Sequence, residues 1–376
     1  MEAVRESRFD VLKGLGILMM VSGHASAPLP LRNFFGTFHM AVFFILAGWF
    51  FDFRYAQGWD SLLTYARKRL VRLWWPFAFW SALFMVSHNL LARVHLVHDL
   101  PFFFGSVPEG YVAEPWSLRY LCLQLAQAPL MLGDNTHLAG AFWFLKTLLF
   151  STVGYCGVSW LFGKTMRRGV LFGQTAISVL LLLVSSNFSV PYAGVIGGDQ
   201  VFTAYALVHA GVLMRRFDVR LDRLKPLGGG AAALFCFAAL LVLSRHGQVS
   251  LALNRYPSVG FLLAASLCGW FFLCALSTSI HGRARNVLAY VGRHSLSIVL
   301  LHYLAFKVVS VVAICCYSLP MSRLSEMGSV APFGAWWVAY AAVGIGLPLC
   351  LSAASTHLLH VLRNRWTMSA RSQDSA

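Results

Sequence analysis

Apolar runs long enough to cross a bilayer recur along almost the whole of this chain, and that recurrence constrains its fold more than any motif. Segments at about 11–28, 35–53, 74–97, 140–162, 169–187, 200–214, 228–244, 258–280, 295–317 and 333–360 reach or approach spanning length. Inside lipid every backbone polar group must be satisfied within the chain, so such segments fold as helices. Only 12% of the 376 residues are charged and 58% are hydrophobic, against about 25% charged in soluble domains. The expected fold is therefore all-α, a polytopic membrane bundle of about ten transmembrane helices. Residues 1–366 form one transmembrane domain in this reading, and the polar residues 367–376 a disordered tail.

The net charge of +16 would suggest a nucleic-acid partner in a soluble protein. Here the cations follow the topology instead. Arg32, Arg93, Arg119, Arg245, Arg255 and Arg323 fall on one set of connections, and Lys13, Lys146 and Lys307 fall within spans. All other Lys and Arg residues share the opposite side with the two termini. The positive-inside rule makes that side cytoplasmic, with both ends of the chain there and no role for nucleic acid. The eight cysteines form no CxxC pair and sit mostly within spans, as small buried hydrophobes rather than metal ligands or disulfides. Arg5, Arg8 and Ala25-Ser26-Ala27 outline a cleavable leader, but Lys13 interrupts the apolar run and Pro28 follows at once, so an uncleaved first span is expected.

That first span carries the polar residues most in need of explanation: Asp10, Lys13 and His24. Eleven helical residues bring Lys13 and His24 round to nearly one face, roughly 16 Å apart along the axis. Intramembrane ionisable groups are costly and face a protein interior or a wet cavity. His39, at the start of the second span, falls at a similar depth to His24. A low-dielectric site keeps an imidazole neutral, able to take a proton from a hydroxyl; the plainer alternative is that each histidine only bonds a neighbouring helix. Arg69 and Arg72 are helical neighbours suited to gripping a phosphate, or to anchoring a cytoplasmic loop. Trp143 marks a membrane interface, and Lys146 snorkels outward from it. His302 lies mid-span and can reach the same cavity or bond another helix. His88, His95 and His98 share a helical face, read as an outer-surface histidine face rather than a metal site.

One long outer connection, 98–139, has no evident helix or strand pattern, which usually marks a functional or disordered loop. Its Phe102-Phe103-Phe104 run suits the membrane surface. It also contains Glu109, Glu114, Trp116, Asp134, Asn135 and His137.

Taken together, these residues resemble the membrane-bound acyltransferase family 3, which includes carbohydrate O-acetyltransferases. The resemblance rests on Lys13 and His24 with ten residues between them, on Arg8-Phe9-Asp10 ahead of them, and on Phe38-His39-Met40 leading to Gly48. It also rests on Arg69-x-x-Arg72, on Trp143-Phe144-Leu145 and on the Ser295–His302 stretch, so it covers about 8 to 360. The resemblance implies a ten-span bundle in the inner (cytoplasmic) membrane that takes an acyl group, usually acetyl, from cytoplasmic acyl-CoA. The acceptor would be a hydroxyl of a polysaccharide or lipid-linked glycan, with polysaccharide-assembly proteins as further partners. His24 would be catalytic, with Lys13 and His39 beside it, and Arg69 and Arg72 would serve the coenzyme phosphates. Asp10, Glu109, Glu114, Trp116, Trp143, Lys146 and His302 would contribute to substrate binding, with no metal and no permanently bound cofactor. The subgroup most resembled is the stand-alone sugar O-acetylases of the fucose O-acetylase type, which lack the extra outer domain of many relatives. Gly14 and Gly16 would leave room beside the Lys13–His24 face for a thioester arm. A transporter or flippase of lipid-linked sugars is the alternative, and it requires repeats or broken helices in both halves that the sequence lacks.

Overall fold

The computed structural model describes residues 7–100, 107–132, 137–165, 169–188, 198–217, 226–331 and 333–373. In chain order the helices are α1 (Ser7–His24), α2 (Leu29–Gly36), α3 (His39–Trp49), α4 (Trp59–Arg69), α5 (Trp75–Val86), α6 (His88–Arg93), α7 (Leu118–Gln127), α8 (Trp143–Thr165), α9 (Val170–Asn187), α10 (Gln200–Arg216), α11 (Pro226–His246), α12 (Val259–Ser279), α13 (Gly282–Arg293), α14 (Ser295–Tyr317) and α15 (Trp336–Gln373). Among the described residues the one β feature is an isolated bridge between Ser250 and Arg255. Among the described residues, six helical segments are long and apolar enough to cross a membrane: Leu29–Trp49, Trp143–Gly163, Val170–Asn187, Val259–Ser279, Ser295–Tyr317 and Trp336–Ser355. The protein is a multi-pass helical membrane bundle.

α1 stands at the centre, packed against α13, α12, α15, α3 and α14. Most of its residues are buried, as its central position requires. Two apolar clusters meet across it. Phe9, Leu12, Leu15 and Met19 join α3, α10 and α12, whereas Ile17, Met20 and Val21 join α5, α8, α14 and α15. Lipid is as apolar as leucine, so helices in a bilayer associate through close packing and hydrogen bonds. Small residues supply the packing. A Cβ on Gly14 would overlap the Leu288 carbonyl of α13, and one on Gly292 would overlap the Asp10 carbonyl of α1. Gly48 of α3 and Gly211 of α10 abut each other's helix in the same way. A buried network supplies the hydrogen bonds among α8, α9 and α10: Tyr155 Oη meets His209 Nδ1 at 3.0 Å and Thr175 Oγ1 meets His209 Nε2 at 2.8 Å.

Several expectations change in detail. Gly14 and Gly16 do not leave an open path: α13 fills the space beside Gly14, and the Phe43 ring would lie 2.8 Å from a Cβ on Gly16. The 98–139 connection contains a full helix, α7, capped by the Ser117 side chain accepting from the Tyr120 N–H. The expected histidine face does not form. α6 stops at Arg93, His95 turns the chain with φ 57°, and His88 and His98 are buried. The backbone of α15 is helical through Gln373, into the stretch expected to be a tail. The Phe102–Phe104 run, Asp134, Asn135, and the cations Arg5, Arg167, Arg168, Arg220, Arg223 and Lys225 lie outside the described residues.

Candidate active site

Lys13, Ile17, Met20 and His24 recur at steps of four, three and four, which lines them along one face of α1. That face forms one wall of a cavity of about 710 Å³. His39, Met40 and Phe43 of α3 line it opposite, together with Trp143 and Phe144 at the start of α8. Lys13 and Arg293, joined through Asp10, lie at one end of that face and His24 at the other, and Arg69 and Arg72 line the same cavity. Residues 248–252, between α11 and α12, and Gly36 also line it.

A histidine pair sits on this wall. His302, wholly buried on α14, directs Nδ1 at the carbonyls of Ile298 (2.9 Å) and Val299 (3.2 Å). Carbonyls only accept, so the His302 proton is assigned to Nδ1 and Nε2 carries a lone pair. Nε2 lies 2.9 Å from His24 Nδ1, which must therefore donate. The remaining nitrogen of His24, Nε2, then carries a lone pair and no proton, and makes no hydrogen bond among the described residues. Tyr303 stacks on the His24 ring with centroids 5.1 Å apart, holding its plane. His39 repeats the arrangement singly: Nδ1 donates to the Phe35 carbonyl at 2.7 Å, leaving its Nε2 as an acceptor. Such outer contacts set which imidazole nitrogen is reactive.

The cations come from α1, α4, the turn that follows α4, and α13. Asp10, 2% exposed, accepts from Lys13 Nζ at 3.2 Å and lies 3.9 Å from Arg293 Nη1. One buried carboxylate thus ties two cations at the cavity. Arg69 is held by Tyr65, whose hydroxyl accepts from Nε at 3.1 Å and Nη2 at 2.9 Å. Between α4 and α5 the chain makes a π turn, Leu70–Trp74, in which the Trp75 N–H bonds the Leu70 carbonyl five residues back. Pro76 gives the reason: it has no N–H to offer Arg72, and its ring would clash with that carbonyl. The wider turn places Arg72 off the ideal helical line from Arg69, yet both reach the cavity.

A family model described as an acyltransferase domain matches residues 6–355. The chain belongs to membrane acyltransferase family 3. No curated protein and no solved structure gives a significant match.

Around this cavity, the other residues expected to serve substrate are placed unequally. Trp143 lines the cavity. Asp10 and His302 stand behind it, acting on it through Lys13, Arg293 and His24. Lys146 turns away to the Met131 carbonyl. Glu109 and Glu114 are exposed and apart from the cavity. Trp116 stacks on His88 at 4.0 Å and is fixed through its backbone to Asn89. Segment 321–330 closes over the far end of α1: a Cβ on Gly328 would lie 3.0 Å from the His24 carbonyl. Lys307 pins that segment through the carbonyls of Leu324 (2.8 Å) and Glu326 (2.7 Å). Arg293, Tyr303 and residues 248–252 had no role in the sequence reading. Only Arg293 carried a signal, as the basic residue two positions before the start of a span.

Proposed function

We propose that this family-3 acyltransferase moves an acyl group, acetyl in the simplest case, from cytoplasmic acyl-CoA to a hydroxyl of a cell-surface or exported carbohydrate. The proposal places ten spans in the inner membrane with both termini cytoplasmic, and assigns the protein to the sugar O-acetylase kind. The observation that carries it is one cavity lined both by four cations and by an imidazole whose free nitrogen carries a lone pair.

A thioester is already activated. The protein needs to hold it beside a hydroxyl, accept a proton and expel the thiol. Arg69, Arg72, Arg293 and Lys13 suit the phosphates of the coenzyme, because guanidinium groups grip phosphate bidentately. The pantetheine arm then follows the Lys13–Ile17–Met20–His24 face. His24 Nε2 takes the hydroxyl proton as the oxygen attacks the thioester carbonyl. The tetrahedral adduct collapses with cleavage of the C–S bond, and the departing thiolate takes the proton back from His24. The charge passing through His24 is shared with His302 through the Nδ1–H bond. A covalent acyl-histidine route would instead leave label on the protein when acceptor is withheld.

Sealed vesicles of known orientation test the vectorial reading. Labelled acetyl-CoA supplied only on the cytoplasmic side should label glycan present only on the outer side. A requirement for both substrates on the cytoplasmic side would overturn it.

A further inference from the structure

The cavity must admit two substrates, and its four cations suit only one of them. The far end of α1 is covered by 321–330, with Gly328 against the His24 backbone and Lys307 holding the cover in place. The expected acceptor residues Glu109, Glu114 and Trp116 do not reach the cavity. Another part of the lining is the wall made by Gly36, three residues before His39 in the chain, and by residues 248–252.

That wall is built rather than loose. The Val249 N–H donates to the Gly36 carbonyl at 3.2 Å, tying the α11–α12 connection to α2. Ser250 and Arg255 exchange backbone hydrogen bonds at 2.8 and 2.9 Å. Asn254 Nδ2 donates to the Ser185 carbonyl at 2.8 Å, and Thr203 donates to Asn254 Oδ1 at 2.7 Å, so α9 and α10 hold the loop from behind. Gln248 donates to Asn33 Oδ1. Gln248 Oε1 and Ser250 Oγ make no hydrogen bond among the described residues. They leave an amide acceptor and a hydroxyl, alongside the apolar Val249, Leu251 and Ala252. Among the described residues of this wall none is ionisable.

We infer that the Gly36 and 248–252 wall is the acceptor subsite, and that it takes a neutral polyhydroxyl group such as a sugar ring. Mixed neutral donors and acceptors on a fixed loop match hydroxyls, which donate and accept at once. Neutral chemistry here, against four cations elsewhere in the lining, keeps the phosphorylated donor from binding in reverse. His39 Nε2 then stands between the subsite and His24, as an acceptor for a second hydroxyl. The inference rests on the acyltransferase reading above.

The test compares wild type with Gln248→Ala/Ser250→Ala and with Gly36→Leu. Gly36 is helical, and a Cβ there would meet Gln248 Oε1 at 3.5 Å, an ordinary contact, so a longer side chain fills the mouth without breaking the helix. Membranes carrying each protein receive labelled acetyl-CoA, and label in the polysaccharide fraction is counted. CoA affinity of the purified proteins is titrated in parallel. The inference expects transfer to fall by about tenfold or more in both variants with CoA affinity unchanged, as loss of one or two hydrogen bonds gives. Undiminished glycan labelling would overturn it, as would loss of transfer in step with CoA affinity. If wild type itself neither binds CoA nor transfers label, the acyltransferase reading has failed and the subsite falls with it.

Discussion

Replacing His302 by leucine should slow acyl transfer without loosening the donor. His302 supplies the one acceptor for His24 Nδ1–H, at 2.9 Å, and is itself fixed by the Ile298 carbonyl. Leucine fills comparable space but accepts nothing. A buried donor left unpaired costs about 1–3 kcal/mol. His24 escapes that cost by rotating or by moving its proton to Nε2, and either change removes the lone pair from the cavity. At about 1.4 kcal/mol per factor of ten in rate, kcat should fall roughly 10- to 100-fold. KM for acyl-CoA should hold, because Lys13 lies roughly 16 Å along α1 from His24. His302→Gln restores a carbonyl acceptor and should recover part of the loss, which a purely space-filling role would not allow. The assay is steady-state transfer by purified protein, with CoA titration as the check on folding. A His302→Leu enzyme within twofold of wild-type kcat, or a His302→Gln enzyme no better than His302→Leu, would refute the assignment.

Arg69→Ala and Arg72→Ala should each weaken CoA binding by roughly 10- to 100-fold, the worth of a charge-assisted hydrogen bond; unchanged affinity in the double variant would make both mere membrane anchors. Gly292→Ala drives a methyl group into the Asp10 carbonyl and should destabilise the bundle by about 1–3 kcal/mol or more, read as a lowered Tm in detergent. His98, outside the spans, is pushed from the ordinary imidazole value near 6.5 down to about 4 by burial first, then by neighbouring His137 and Lys307, with Asp99 opposing. The unfolded chain therefore binds the extra proton first, so His98 should withdraw stability as pH falls from about 6.5 toward 4, and His98→Gln should flatten that part of the Tm profile.

Much of this was legible in residue spacing. Apolar runs of spanning length announced the bundle, and the Lys13–His24 stripe announced the cavity wall, because helical period alone decides which residues share a face. The histidines at 88, 95 and 98 show where the same argument fails: it assumes one continuous helix, and α6 ends at Arg93. Arg293 was hidden because its link to the first span runs through Asp10, far away in sequence and brought close only when α13 packs on α1. The shift between Arg69 and Arg72 depends on the N–H that Pro76 lacks, a consequence visible only once the turn before it is known to be helical. The 248–252 wall carries neutral polar residues in no fixed pattern, so only tertiary folding identifies it. The 98–139 connection, richer in carboxylates and aromatics, drew the acceptor reading away from it.

The central claim is that His24 performs the proton transfer in an acyl-CoA-dependent reaction. The direct measurement is single-turnover transfer of labelled acetyl from acetyl-CoA to glycan by wild type and His24→Ala at equal donor occupancy. The account predicts that the variant binds CoA normally and transfers at least about a hundredfold more slowly, in line with loss of a positioned general base. Transfer by His24→Ala at near wild-type rate would contradict it.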